Sequence, residues 1–268
     1  MIPYAFHYHR AASLDDAQTL FANAQEAKFL AGGQTLIPAM KQRLSQPSDL
    51  IDIGRLAELS FIHERDGNIV IGAMARHGDV AASALVRSRI PALAELAEEI
   101  GDPAVRHMGT LGGSLATSDP AADYPAGVLG LGANVVTTKK TVPADDYFLG
   151  LFQTPLEDGE IITEVSFPIP RRAGYAKFRN PASHYAMVGV FVGETSAGVR
   201  VAVTGAGACA FRVAEMETAL ARRFDAESVA GISLPADGLN SDLHASAEYR
   251  AHLVTVMARR AVAAAIGR

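Results

Sequence analysis

The N-terminal part of the chain alternates between helical and strand-like spacing of apolar side chains. One segment repeats them at intervals of three and four: Leu14, Ala17, Leu20, Phe21 and Ala24. This spacing predicts an amphipathic helix that begins after a Ser13 cap. Short apolar runs predict strands over 28–31 and 50–53. A second helix is expected over 36–44, and His7-x-His9 is interpreted as a polar N-terminal strand.

A second pattern of short apolar runs follows residue 59. These runs predict three strands, over 68–71, 134–138 and 160–167. Helical spacing predicts three helices, over 79–86, 91–100 and 126–131. Between them, Arg106–Pro125 is rich in Gly, Ser, Thr, Asp and Pro. Because these residues favour turns, this stretch is expected to be a loop.

The proline-rich segment Pro168–Arg172 is expected to be a linker to a separate unit. Beyond it, apolar runs predict three strands, over 175–179, 187–192 and 199–204. Two helices are expected to follow, over 214–224 and 247–266, the second with a Ser246 cap. Strands followed by helices are typical of an α+β domain.

Composition narrows the possible classes of protein. The chain has 268 residues, of which 49% are hydrophobic, and this excludes global disorder. The net charge of −5, without a basic patch, argues against nucleic-acid binding. Runs of roughly 20 apolar residues, which span a bilayer, are missing from the sequence. The N-terminus does not resemble a secretory signal, so a cytoplasmic protein is expected.

The single cysteine, Cys209, limits the metal chemistry of this chain. An intrachain disulfide needs two cysteines, so none can form here, and this fits a reducing compartment. Iron–sulfur clusters and zinc fingers need several thiolates, so neither can be built from this chain alone. We therefore expect no metal site in the chain, and any metal redox centre would belong to a partner.

Two glycine-rich loops carry the strongest chemical signal. The first is Ala31-Gly-Gly-Gln-Thr-Leu36, and the second is Gly109-Thr-Leu-Gly-Gly-Ser114. Consecutive glycines allow a ligand to approach the backbone closely and let several N–H groups converge on an anion. Glycine pairs also mark simple tight turns, so each loop alone leaves both interpretations open. Neither loop matches the Rossmann or P-loop spacing.

Both loops, in their longer context, resemble the flavin-binding signatures of one family. Residues 31–41, AGGQTLIPAMK, resemble the first signature, and residues 109–124, GTLGGSLATSDPAADY, resemble the second. The family comprises the FAD-binding medium subunits of molybdenum hydroxylases of the carbon monoxide, xanthine and aldehyde dehydrogenase types. The resemblance covers nearly the whole chain. Ser114 and His184 depart from it, since many relatives have Asn and an acid there.

The resemblance implies an α+β fold with an FAD-binding domain over 1–172, related to the vanillyl-alcohol-oxidase (PCMH) type. That domain would divide into two α/β subdomains of about 1–56 and 57–172. A C-terminal domain over 173–268 would hold a three-stranded antiparallel sheet and helices. FAD would lie in the cleft between the two subdomains.

The resemblance also implies a set of cofactor-binding residues. The N–H groups of the first loop would hold the FAD diphosphate, and the second loop would grip it from the other side. Asp123 would hydrogen-bond a flavin hydroxyl, Ile162 would approach the ring, Lys177 would place positive charge near it, and Tyr185 would stack beside it. The loop positions carried over are Ala31, Gly32, Gly33, Gln34, Thr35, Leu36, Gly109, Thr110, Leu111, Gly112 and Gly113.

Three of these assignments have simpler alternatives. Asp123 precedes Tyr124-Pro125 and is also placed to be a turn or helix-cap residue. Lys177 fits a solvated surface charge, and Tyr185 fits a core position. The chain itself is expected to supply no catalytic acid or base.

In the function that the resemblance implies, FAD passes electrons from partner [2Fe–2S] clusters to an external acceptor. The expected partners are a large molybdenum–pterin subunit and a small subunit with two clusters, assembled as a dimer of heterotrimers. Two alternatives remain: a stand-alone FAD-dependent oxidoreductase, and an assembly module that binds no flavin. About 95 residues after Pro170 are few for a substrate domain, and the intact glycines argue against the second alternative.

Overall fold

The structure is a computed structural model that describes residues 1–267, and it contains three sheets. Its strands are β1 His7–Arg10, β2 Ala27–Leu30, β3 Asp49–Asp52, β4 Ile62–Arg65, β5 Asn68–Gly72, β6 Asn134–Thr137, β7 Thr141–Pro143, β8 Ile162–Pro168, β9 Arg172–Arg179, β10 Ala186–Thr195, β11 Gly198–Thr204 and β12 Phe211–Arg212. Its α-helices are α1 Leu14–Ala22, α2 Leu36–Lys41, α3 His77–Ala82, α4 Ala84–Arg89, α5 Pro91–Glu98, α6 Pro103–Met108, α7 Leu111–Thr117, α8 Tyr124–Leu131, α9 Ala214–Arg222 and α10 Ala247–Ile266.

The first sheet is parallel, with the order β1-β3-β2. The expected Ser13 cap begins α1, because its hydroxyl accepts the Asp16 N–H at 3.1 Å. The helix buries Ala17 in a small core with Ile51 and Ile53. This small sheet ends directly at the first glycine-rich loop, and it therefore fixes the position of that loop.

The second sheet is antiparallel, with the order β4-β5-β8-β6-β7. Its central strands β5 and β8 bury Ile69, Ile71, Val165 and Phe167 in the largest core of the described residues. Residues of α5 and α8 complete this core. The chain continues from the end of β5 toward α3, and β8 begins at Ile162. The end of β5 and the beginning of β8 therefore lie at the same edge of the core.

The third sheet is antiparallel, and α10 packs across it. The three expected strands are present as β9, β10 and β11, and the two-residue β12 adds a fourth at the edge. Gly174 allows the close approach of α10, because a Cβ there would lie 2.8 Å from the Ala265 nitrogen. Ser246 caps α10 as expected and accepts the Tyr249 N–H at 3.2 Å.

The expectation of a loop over Arg106–Pro125 is wrong. This stretch holds the end of α6, all of α7 and the beginning of α8. Glycine lowers the intrinsic preference for helix, but α7 is stabilised by burial of Leu111 and Leu115 and by a Thr110 cap. Tertiary packing therefore overrides the local composition. Strand β4 was also not predicted, because its sequence, IHER, is mostly polar and it lies at a sheet edge.

Within residues 1–267, no helix combines the length and apolar character that a membrane span requires. The strands and helices that follow residue 172 agree with the expected α+β class. The division of the chain at about residues 56 and 172 remains a prediction.

Candidate functional site

The first loop, Ala31–Leu36, connects β2 to α2 and offers unpaired backbone donors. Gly33 adopts a left-handed conformation with φ +73°, which favours glycine. None of the five N–H groups from Gly32 to Leu36 has a hydrogen-bond partner within the described residues. All five residues line one cavity. Converging free N–H groups of this kind form an anion-binding nest.

The second loop, Gly109–Gly113, differs because its N–H groups are largely engaged within the protein. Leu111 donates to the Ala75 carbonyl at 3.0 Å, and Gly112 donates to the Ala73 carbonyl at 2.8 Å. Gly113 donates to Thr110 Oγ1 at 3.2 Å. The expectation that these N–H groups bind a diphosphate therefore needs correction. Thr110 retains a hydroxyl proton to donate, since its oxygen only accepts from Gly113.

The two loops meet at Gly32. A Cβ on Gly32 would lie 2.8 Å from Gly109 Cα and closer still to the Met108 carbonyl oxygen. Both neighbours are backbone atoms, which cannot rotate away as a side chain can. Glycine at position 32 thus lets the loops approach each other and bound the same cavity.

The cavity has a volume of about 560 Å³, within the range of roughly 300–1,000 Å³ typical of cofactor sites. Of the expected residues, it brings together Ala31, Gly32, Gly33, Gln34, Thr35, Leu36, Gly109, Thr110, Gly112, Gly113, Asp123, Ile162 and Tyr185. Leu111 and Lys177 do not line it. Leu111 is instead fully buried in the core behind the loop.

Lys177 and Asp123 form a buried ion pair beside the cavity. Lys177 Nζ lies 2.8 Å from Asp123 Oδ1, and the lysine side chain is fully buried. Tyr175 donates to the same carboxylate oxygen at 2.6 Å. Burial raises the pKa of Asp123, and the neighbouring Lys177 charge opposes that shift. Lys177 is therefore not a solvated surface charge. It does not line the cavity, and it influences the cavity through its ion pair with Asp123.

Asp123 is held by the third sheet as well as by its own helix. Asp119 to Asp123 form a turn, which we call the 119–123 turn. Thr204 donates to the carbonyls of Pro120 and Ala122 at 2.9 and 2.6 Å. The Gly205 N–H donates to the same Pro120 carbonyl at 2.7 Å. The C-terminal sheet thereby fixes the position of a cavity-lining carboxylate.

Tyr185 and Ile162 occupy different surroundings in the cavity wall. Tyr185 is 46% exposed and lies on the connection between β9 and β10, so it is not a core residue. Ile162 is buried at the start of β8. Next to Tyr185, His184 has φ +62° and its Nδ1 lies 3.1 Å from the Gly101 carbonyl oxygen. This contact ties the connection to the beginning of α6.

Comparison with known proteins identifies the family. Residues 4–170 match the model described as the FAD binding domain in molybdopterin dehydrogenase. The chain is 36% identical to the carbon monoxide dehydrogenase medium chain of Hydrogenophaga pseudoflava, covering 100% of this chain and 99% of that protein. It is 37% identical to the nicotine 6-hydroxylase medium subunit of Paenarthrobacter nicotinovorans, covering 96% of each. The chain belongs to the FAD-binding medium subunits of molybdenum hydroxylases.

Solved structures support the same family fold. Carbon monoxide dehydrogenase from Hydrogenophaga pseudoflava matches with a TM-score of 0.90 at 36% identity, covering 100% of this chain and 99% of that chain. Quinoline 2-oxidoreductase from Pseudomonas putida 86 matches with a TM-score of 0.91 at 30% identity, covering 100% and 99%. The expected α+β fold and the resemblance are confirmed. This medium subunit is a subunit of an oxidoreductase, and its cofactor is FAD.

The residues present fit FAD on structural grounds. The unpaired N–H groups of the first loop suit a diphosphate, which accepts many hydrogen bonds. A buried carboxylate suits a flavin hydroxyl as its acceptor, and the exposed Tyr185 ring offers an apolar face to the cavity.

Asp119 and His77 are among the cavity-lining residues of this medium subunit that were not identified from the sequence. Asp119 lies within the second signature, where Asp123 was the only acid assigned to the site; burial raises the pKa of Asp119. His77 lies at the start of α3, distant from both signatures. Its only sequence signal is that Arg76-His77 lies on the connection after the buried strand β5, where polar residues often face a ligand.

Proposed function

We propose that this medium subunit binds FAD in the cavity between its two glycine-rich loops. The observation that carries the proposal is the row of five unpaired N–H groups in the first loop, Gly32–Leu36. They provide the donors that a diphosphate needs, at a point where Gly32 and Gly109 bring the loops together. The second loop contributes the opposite wall and the Thr110 hydroxyl.

The remaining expected residues complete the proposed site. Asp123 would accept a hydrogen bond from a flavin hydroxyl through its carboxylate. Lys177 stabilises that carboxylate in its charged form and Tyr175 orients it. Ile162 and Tyr185 would contact the apolar ring system. The bound flavin would supply one-electron and two-electron redox chemistry, while the residues of this chain bind it, orient it and shield it from water.

We further infer that this subunit carries electrons from partner [2Fe–2S] clusters to an external acceptor. Support comes from the single cysteine, which leaves this chain unable to build a cluster by itself. Relatives named as medium chains or medium subunits also imply larger and smaller partners in their complexes. The proposed partners are a large molybdenum–pterin subunit and a small subunit with two clusters. We propose a dimer of heterotrimers.

The test is to express the chain with its neighbouring genes and to purify it through a tag on the chain. We expect a visible flavin spectrum, a stoichiometric FAD content, and co-purification of a molybdenum subunit with a cysteine-rich small subunit. Substrate added to this complex should bleach the flavin spectrum. Purification without flavin would overturn the binding proposal. Bleaching of the isolated flavin-loaded chain by its own substrate would overturn the electron-carrier role and favour a stand-alone oxidoreductase.

A further inference from the structure

The wall of the cavity contains a histidine with an unpaired ring nitrogen. His77 begins α3, lines the cavity and is only 5% exposed. Its Nδ1 is shielded from solvent and has no hydrogen-bond partner among the described residues. Buried polar groups are normally paired, so an unpaired one calls for a specific explanation.

A second unpaired group lies behind it. The hydroxyl of Tyr124 is also buried without a partner in the described part of the chain. The two rings are neighbours, with centroids 5.4 Å apart and planes inclined at 52°. A hydrogen bond from the Tyr124 hydroxyl to His77 Nδ1, made directly or through one buried water, would give both groups a partner.

The other edge of the His77 ring faces the second loop. The backbone N–H of His77 donates to the Gly109 carbonyl at 2.9 Å, which holds the residue against this loop. A Cβ on Gly109 would lie 2.6 Å from His77 Nε2, so only glycine leaves room for the ring. Because Nδ1 is shielded and the residue lines the cavity, the edge that carries Nε2 is the one turned toward bound ligand.

The ring is neutral at neutral pH. Burial, together with the nearby Arg106 charge, lowers the pKa of His77 to about 4. A neutral imidazole has one donor and one acceptor nitrogen. If Nδ1 accepts from Tyr124, the proton must be on Nε2. His77 then presents a single N–H donor to the cavity beside the second loop.

This donor adds to the Thr110 hydroxyl, the donor that the second loop retains. The N–H groups of Leu111, Gly112 and Gly113 are already engaged, so they are not available to an anion held against this wall. We propose that His77 is a further ligand-binding residue of the FAD site, which donates from Nε2 to the diphosphate while Tyr124 fixes its tautomer. The inference rests on the proposed binding of FAD.

The experiment measures the binding of FAD, ADP and riboflavin to the flavin-free chain by titration calorimetry. His77→Leu should weaken FAD and ADP binding by at least tenfold and leave riboflavin binding unchanged. His77→Gln retains an N–H donor and should recover part of the loss. Tyr124→Phe should weaken FAD binding several-fold, because the tautomer is no longer fixed.

His107→Leu is the matched control. His107 is exposed, precedes the second loop and does not line the cavity, so this variant should bind all three ligands like the wild type. Circular dichroism of each variant checks that it is folded. If His77→Leu proves unfolded, His77→Gln and Tyr124→Phe still decide the outcome.

The outcomes separate the two proposals. A wild-type chain that fails to bind FAD overturns the proposed function. A wild-type chain that binds FAD, with unchanged affinity in folded His77→Leu and Tyr124→Phe, overturns only the role of His77. Weaker riboflavin binding with unchanged ADP binding would place His77 against the flavin half and overturn the diphosphate contact.

Discussion

The two glycine-rich loops have similar compositions but opposite hydrogen-bonding states. In the first loop, the N–H groups of Gly32–Leu36 are unpaired. In the second, three N–H groups donate to Ala73, Ala75 and Thr110. Gly32 allows the two loops to approach closely and Gly33 forms a left-handed turn, whereas Gly112 makes room for Ala73, which follows β5. Glycine content alone therefore does not identify an anion nest. What identifies it is whether each N–H group is already hydrogen-bonded within the protein.

The largest expected effect comes from Gly32→Val, which tests the loop with free donors. The new side chain would collide with the backbone of residues 108 and 109 and separate the loops. We expect complete loss of retained FAD, measured from the visible flavin spectrum of the purified protein, with circular dichroism as the check that the variant is folded. Gly231→Val is the control, because Gly231 has open space around it. Stoichiometric FAD in Gly32→Val would disprove the arrangement.

The second prediction concerns His77, which contacts the second loop at Gly109, and the pH dependence of stability that this residue causes. The pKa of His77 is lowered to about 4 in the folded protein, from an ordinary 6.5. Since the unfolded chain takes up this proton first, stability falls as the pH drops from about 6.5 to about 4. The difference corresponds to about 3 kcal/mol.

His77→Gln should remove this part of the acid sensitivity. Urea unfolding of both flavin-free proteins at several pH values measures it, and the variant should show the shallower fall. The charged groups near the His77–Tyr124 pair, Arg106, Asp79 and Asp123, are the same in both proteins. Parallel pH profiles would show that His77 is not buried in its neutral form.

A somewhat smaller effect is expected from Gly112→Val, which tests the loop with engaged N–H groups. A Cβ there would lie 2.6 Å from Ala73 Cβ and 2.9 Å from the Ala73 carbonyl oxygen. Overpacking of this kind costs about 2 kcal/mol, so the variant should melt at a lower temperature even without flavin. An unchanged melting temperature would contradict the close packing of the second loop against Ala73.

The smallest effect distinguishes the two threonines. Thr110 caps α7 through Gly113, while the Thr35 side chain makes no cap bond to α2. Thr110→Val should cost about 1 kcal/mol of stability, and Thr35→Val should cost almost nothing. Chemical denaturation of both flavin-free variants measures the contrast. Equal losses would contradict the difference between the loops.

Much of the fold follows from spacing in the sequence. The amphipathic pattern from Leu14 onward and the Ser13 and Ser246 caps predict α1 and α10, because these signals are local. Helix α7 escapes such reasoning, since its glycines disfavour helix and its stability comes from the distant core that buries Leu111 and Leu115.

The candidate site shows the same limit. The order and spacing of the loops, with Asp123 and Tyr185, point to the cavity that the structure contains. The burial of Lys177 could not be predicted, because it depends on pairing between residues 54 positions apart. His77 was missed for a similar reason: its importance arises from Gly109 and Tyr124, which approach it only in the folded chain.

The hold of Thr204 and Gly205 on the 119–123 turn has a consequence for recombination between relatives. The match to the FAD-binding family model ends at residue 170, yet a carboxylate of the cavity is positioned by residues beyond that point. A chimaera that joins the first 170 residues of one relative to the remainder of another would inherit a mixed cofactor pocket. A functional chimaera should therefore take the 119–123 turn and the residues Thr204 and Gly205 from the same parent.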